Sequence, residues 1–210
     1  INQPGNHFGY GHSSGHVSGK VIDFHPTIEV EVSYRDGKQN IKTALLGDFN
    51  LYNILCAATV GEIFHIKSEI ISKSLESYTP SNHRSQLIKT KTNIVIADCY
   101  NANPTSTLAA LQSLSSMKVE NKVAILGDML ELGENEEVEH QNIVQFMNEN
   151  NISGLLVGGI FSNLKCNFPT FEKVEFILPY LKNMRYENCT ILIKGSRGIK
   201  LEKIIENQIL

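Results

Sequence analysis

The chain has 210 residues, 41% of them hydrophobic and 20% charged, an ordinary globular composition that excludes a disordered tail or a fibrous repeat. At about 100–200 residues per domain, the length gives one large domain or two small ones. With 19 basic and 22 acidic residues the net charge is −3, so no basic excess marks a nucleic-acid binder, and no run approaches the ~18 apolar residues of a membrane span.

The first residue is Ile1, and no charged start leads into an apolar core, so the beginning is not a signal peptide. It reads as a piece cut from a longer chain. Residues 1–26 are rich in Gly, His and Ser with little periodicity, and are expected to form a mobile loop. His7, His12 and His16 fall there, and metal binding on so irregular a segment is disfavoured. Gly15-His-Val-Ser-Gly19-Lys20-Val21 resembles a phosphate loop but has three residues between its glycines and a Val after the Lys, so it fails that pattern and reads as a turn.

Residues 28–34 alternate, with Ile28, Val30, Val32 and Tyr34 on one side, which predicts a half-buried strand. Asp36-Gly37 signals a hairpin, with a return strand over 40–46. Residues 49–64 carry Leu51, Ile54, Leu55 and Ala58 on one helical stripe. A second helix over 68–78 would use Ile70, Ile71, Leu75 and Tyr78, and Pro80 ends it. The polar stretch 79–86 reads as a linker and a hinge. From Lys91 onward apolar strands alternate with helices: strands at 93–97, 122–126, 154–157 and 190–194, helices near 105–117, 137–149 and 172–183, and a last helix opened by the loop after Lys194. That rhythm predicts α/β architecture with a parallel sheet, Rossmann-like, whose ligands sit beyond the carboxyl ends of the strands.

The four cysteines, Cys56, Cys99, Cys166 and Cys189, form no C-x-x-C pair and are expected to be free thiols in a reducing cytoplasm. Asn50 and Asn53, three apart, share a helix face. They suit the edge of a purine base, or Asn50 simply caps the helix. Asp98, at a strand end, could accept from ribose hydroxyls; the other reading is a turn capped by Asn103 or Ser106. Gly127-Asp128 repeats that geometry. Lys194-Gly195-Ser196-Arg197-Gly198 opens the last helix, where backbone N–H groups and two cations would favour an anion.

Six stretches in this order resemble the Mur ligases: LLGDFNLYNILCAA (45–58), NHRSQL (82–87), IADCYNANPTS (96–106), ILGDMLELGE (125–134), EH (139–140) and IKGSRG (193–198). The resemblance implies an ATP- and Mg2+-dependent amide-bond ligase of peptidoglycan synthesis. A substrate carboxylate, that of UDP-N-acetylmuramoyl-tripeptide, is phosphorylated, and the amine of D-alanyl-D-alanine attacks the acyl phosphate. A cytoplasmic monomer with no nucleic-acid partner and no membrane span is expected. Residues 1–84 then correspond to the end (β-hairpin plus helices) of a central ATPase domain, and residues 85–210 to a C-terminal Rossmann-like domain.

Carried over residue by residue, Asn50 and Asn53 lie near the adenine and Arg84 reaches the nucleotide phosphates. Asp98 holds the ribose, with Asn101 and Asn103 in the same loop. Asp128, Glu131, His140, Lys194, Ser196 and Arg197 form the face that meets the dipeptide, with Lys194 or Arg197 on its carboxylate. Phe49 stands where many members have His or Tyr. The phosphate loop, the Mg2+ ligands and the modified Lys of the family do not occur in this sequence, so the chain alone is expected to be inactive, with no catalytic residue and no metal ligand of its own. Two alternatives remain: a non-catalytic nucleotide-binding module, and a folylpolyglutamate synthase-type ligase, which the YNANP loop fits poorly.

Overall fold

The computed structural model describes residues 8–24, 27–81 and 83–210; His7 and Asn82 lie outside the described residues. The chain divides into two compact units, Ile1–Thr79 and Pro80–Leu210.

The first unit is a four-stranded sheet with two helices. Its strands β1 (Tyr10–Gly11), β2 (Val17–Phe24), β3 (Thr27–Tyr34) and β4 (Gly37–Leu46) lie in sequential order. The predicted hairpin is β3–β4, antiparallel, with Tyr34 opposite Gly37. The expectation for residues 1–26 needs correction, because Val17–Phe24 is a strand paired antiparallel to β3. Val17 and Gly19 are its buried positions, and a glycine at an inward site removes the apolar signal that would have revealed the alternation. The loop before it is also ordered by contacts: the His16 N–H donates to the Gly9 carbonyl at 2.7 Å, and His16 Nδ1 accepts from the Gly9 N–H at 3.2 Å.

Helix α1 (Asn50–Ile63) buries its predicted stripe of Leu51, Ile54, Leu55 and Ala58 against Val17, Ile28, Val30, Val32 and Ile41. Each such Leu or Ile contributes about 1.5–3 kcal/mol of burial. Helix α2 (Ser68–Ser77) turns only part of its predicted stripe inward. Ile71 is buried and Ile70 exposed, since neighbours lie 100° apart on a helix. Tyr78, extended at the C-cap, is also exposed.

The second unit carries a six-stranded sheet. Strand β5 (Gln86–Lys89) lies at one edge, overlapping the expected linker only at Gln86, and pairs antiparallel with β6 (Ile94–Asp98). Helix α3 (Pro104–Ser116), strand β7 (Asn121–Gly127), helix α4 (Glu136–Glu149) and strand β8 (Ser153–Val157) follow as predicted. Two short elements escaped prediction, α5 (Gly159–Asn163) and β9 (Thr170–Phe171). Helix α6 (Val174–Met184) leads to β10 (Cys189–Lys194), then to a 3₁₀ turn at Arg197–Ile199 and α7 (Glu202–Glu206). The last helix therefore opens at Glu202, not at the Gly195–Arg197 loop as expected: Lys200 in the left-handed region (φ 62°) separates the two turns.

The sheet order is β5-β6-β10-β7-β8-β9, parallel except for β5. The last long strand inserts between β6 and β7, so the strand order reverses there. Such a switch point leaves a crevice beyond the carboxyl ends of the strands. The apolar runs of β6, β7, β8 and β10 are buried, with Val95, Val123, Ile125, Leu155, Val157, Ile191 and Ile193 in one core under α6 and α7. Cys56 is exposed, Cys166 half-buried, and Cys99 and Cys189 buried, all as free thiols.

Candidate functional site

The insertion of β10 sets the register that builds the site. Lys194, the last residue of β10, stands directly opposite Asp98, the last residue of β6. The Lys194 ammonium donates to Asp98 Oδ2 at 2.6 Å and to the Asn101 carbonyl at 3.0 Å. Lys194 is 2% exposed and Asp98 20% at the side chain. Asp98 Oδ1 accepts from the Ser85 N–H at 3.0 Å, which ties strand β5's approach to the strand end. A buried ammonium requires such a partner. Next to it, burial and then the Asp98 carboxylate push the Cys99 thiol up to about 12, which makes it a packed core group rather than a nucleophile.

After β7, the Asp128 carboxylate accepts from the Ile160 and Phe161 N–H groups at 2.9 and 3.0 Å, at the start of α5. This uses the unpaired amides of a helix start. His140, fully buried on α4, accepts the Met129 N–H at Nε2 (2.9 Å), and its Nδ1 lies 2.6 Å from the Glu136 carbonyl, which fixes the Nδ1–H tautomer. Ser196 joins three loops. Its hydroxyl accepts from the Leu130 N–H at 2.9 Å and lies 3.5 Å from the Ala102 carbonyl, and its N–H donates to the Asp128 carbonyl at 3.1 Å. Two glycines permit this approach: a Cβ on Gly195 would sit 2.9 Å from the Gly127 Cα.

Sequence reasoning put Asp128, His140, Lys194 and Ser196 on the face that meets an incoming group. The structure buries all four and satisfies their polar groups with partners inside the unit. The reason is general, since polar side chains this deep must be satisfied internally. They shape the edge, and Glu131 and Arg197 are the two of that set that stand exposed on it. Asn103 caps α3 through a capping box with Ser106, the structural reading of that loop. Asn101 accepts its neighbour Ala102's N–H at 2.9 Å.

In the first unit, Asn50 begins α1 but does not cap it. Its amide donates to the Leu46 carbonyl at 2.7 Å and its Oδ1 accepts from Asn53 at 2.8 Å. The two Asn form a bonded pair with Asn50 buried and Asn53 exposed.

Arg84 lies over the Tyr100 ring, its Cζ 3.6 Å from the centroid, and the Arg197 Cζ lies 5.5 Å from the same centroid. A cavity of about 460 Å3 is lined by His83, Arg84, Cys99, Tyr100, Arg197 and Glu202. His83 Nδ1 and Glu202 Oε2 are buried there without a hydrogen-bond partner. Sequence reasoning found Arg84 and Arg197 but missed Tyr100, His83 and Glu202. Tyr100 and His83 sat within motif strings, yet only folding brings residues 83, 100 and 197 to one cavity.

A family model, "Mur ligase, glutamate ligase domain", matches residues 83–197. The chain belongs to the Mur ligase family. That span starts at His83 and closes on Arg197, so it holds the Asp98–Lys194 pair and both arginines on Tyr100. The UDP-N-acetylmuramoyl-tripeptide–D-alanyl-D-alanine ligase of Rickettsia prowazekii is 32% identical over 66% of this chain. The same enzyme of Buchnera aphidicola from Acyrthosiphon pisum is 33% identical over 82%. The chain spans 32% and 39% of the lengths of those two curated relatives. Among solved structures, MurF from Acinetobacter baumannii superposes with a TM-score of 0.86 at 25% identity, covering 96% of this chain and 47% of that one. Among the described residues of this Mur ligase chain, no group of three or more His, Cys, Asp or Glu could hold a metal ion, and no helix is long and apolar enough to cross a membrane.

Proposed function

We propose that this chain supplies part of the nucleotide-facing and acceptor-facing surface of an ATP-dependent ligase that joins D-alanyl-D-alanine to UDP-N-acetylmuramoyl-tripeptide in peptidoglycan synthesis, in the cytoplasm. The observation that carries the reading is the β6-β10-β7 edge. That edge carries the Asp98–Lys194 pair, and a cavity holds two arginines that have no carboxylate partner among the described residues together with unpartnered polar atoms, in a chain whose relatives bear that enzyme's name.

In this reaction the tripeptide carboxylate attacks the terminal phosphorus of ATP, giving an acyl phosphate and ADP. The dipeptide amine then attacks the acyl carbon, inorganic phosphate leaves, and the amine proton passes to solvent. Arg84 binds phosphate oxygens by charge-assisted hydrogen bonds. Asp98, held by Lys194 and Ser85, keeps lone pairs for ribose hydroxyls. Asn50 and Asn53 offer a paired amide edge to the adenine. Glu131, exposed on the same edge, stands ready for the acceptor. Mg2+, when bound, neutralises phosphate charge; the described residues offer no ligand set for it, so no step here is assigned to it. The buried groups Asp128, His140 and Ser196 act through preorganisation, since a site held rigid need not reorganise when charge develops.

The purified 210-residue chain is expected to release no phosphate from ATP, and ATP hydrolysis by it would contradict this reading. The gene product that contains the chain should consume ATP only when both the UDP-tripeptide and D-alanyl-D-alanine are present. Acceptance of glutamate in place of the dipeptide would move the chain to a sister ligase.

A further inference from the structure

Arg84 and Arg197 converge on one aromatic ring. Their Cζ atoms lie 3.6 Å and 5.5 Å from the Tyr100 centroid, so the two cations are no more than the sum of those distances apart. Among the described residues neither guanidinium forms an ion pair or side-chain hydrogen bond, although the chain has 22 acidic residues to offer. Both are exposed on the rim of the same cavity, into which His83 and Glu202 bring buried, unpartnered polar atoms. Two like charges this close repel each other, and the negative face of a tyrosine ring is what offsets the repulsion. Arginine reads tetrahedral phosphate through paired N–H groups, and its value depends on a fixed plane. A ring beneath the guanidinium fixes that plane without using any of its five donors.

The geometry points to Tyr100 as a positioning residue, whose ring holds Arg84 and Arg197 together as one clamp for a phosphate-bearing ligand. This goes beyond the sequence reading, which gave Arg84 to the nucleotide and Arg197 to the dipeptide. It rests on the ligase reading only for the identity of the ligand; the clamp itself needs only a phosphate. The phenol hydroxyl takes no part, because the attraction comes from the face of the ring. Tyr100 touches the arginines and acts through them.

The probe is inorganic pyrophosphate, titrated calorimetrically into the 210-residue chain at low salt. Wild type should bind it, and Arg84→Ala and Arg197→Ala should each weaken binding by about tenfold or more. Tyr100→Phe should stay within about twofold, while Tyr100→Leu should lose about fivefold, the ratio set by a cation–π contact of about 1 kcal/mol. A second readout follows Arg84 by NMR: its side-chain protons should lie upfield through the ring current, remain so in Tyr100→Phe, and move to ordinary positions in Tyr100→Leu. Circular dichroism of each variant establishes that it is folded, and Tyr100→Phe, which keeps all the packing of the ring, answers the question even where the leucine variant unfolds. Tyr100→Phe losing as much as Arg84→Ala would overturn the proposal, because the hydroxyl would then be the contact. Arg197→Ala binding like wild type would overturn it too, since no shared clamp would exist, as would absence of pyrophosphate binding by wild type. Binding of D-alanyl-D-alanine but not pyrophosphate would give the arginines to a carboxylate and also refute it. Failure of the ligase reading looks different: pyrophosphate binds and the variants rank as stated, while the gene product shows no dipeptide-dependent ATP consumption.

Discussion

Removing either partner of the Asp98–Lys194 pair should be costly, and by unequal amounts. Lys194 is 2% exposed and Asp98 20%. Lys194→Met removes the charge and keeps the chain length. It leaves Asp98 partly solvated and still bonded to the Ser85 N–H. Asp98→Ala instead leaves an ammonium almost wholly buried, with the Asn101 carbonyl as its remaining acceptor. Breaking a buried pair from one side costs about 3–5 kcal/mol. The alanine variant should fall in that range, and the methionine variant, eased by solvent at Asp98, at about 2–3 kcal/mol. The assay is native-state hydrogen exchange of the Ile191, Leu192 and Ile193 amides, which lie in the central strand and open only with the unit. At about 1.4 kcal/mol per tenfold, Lys194→Met should lower their protection by about 30- to 150-fold. The double variant should be no worse than Lys194→Met alone, since removing both charges leaves no orphan. If Asp98→Ala costs less than Lys194→Met, or the two costs simply add, the pair does not hold the strand ends as described.

Asn103→Ala removes the capping box of α3 and should cost about 1 kcal/mol in urea unfolding, with Asn103→Asp retaining most of it. Gly158→Ala would place a Cβ 2.2 Å from the Asp128 carboxyl at a backbone φ of +132°, so it should destabilise by several times the ~1 kcal/mol of a simple left-handed penalty and release the loop after β7. Cys99 should be silent to a thiol reagent near neutral pH while the exposed Cys56 reacts. Its folded pKa of about 12 lies above the unfolded value of about 8.5. The folded state therefore holds this proton longer, and its contribution is complete below about pH 8.5. It is lost as pH rises towards 12, by up to about 1.4 kcal/mol per pH unit. Cys99→Ala should flatten that alkaline limb in urea unfolding measured from pH 8 to 11; an unchanged slope would contradict the burial of the thiol.

The strands and helices that follow period 2 or 3.6 were legible because burial imposes those periods: β3, α1, β6, β7, β8 and β10 all lie where alternation or an apolar run put them. Strand β2 was not, because Gly19 occupies an inward position, and β5 was not, because three half-buried residues and an exposed lysine at a sheet edge carry no clear period. Ile70 was misread because adjacent isoleucines cannot both face inward on a helix. The chemistry of the site was legible as residue types at strand ends, and Asp98 and Lys194 were found that way. What each does depended on register, which no local pattern carries. The placement of β10 beside β6 pairs these two candidate ligand contacts with each other. The same insertion brought Ser196 under Leu130 and Arg197 to Tyr100, 97 positions earlier in the chain.

The most direct test of the ligase reading is phosphate release by the gene product that contains this chain, given ATP, Mg2+, UDP-N-acetylmuramoyl-tripeptide and D-alanyl-D-alanine. Phosphate and a UDP-linked pentapeptide should appear together, one for one, and neither should form without the dipeptide. Phosphate release that ignores the dipeptide, or a product extended by glutamate instead, would contradict the account.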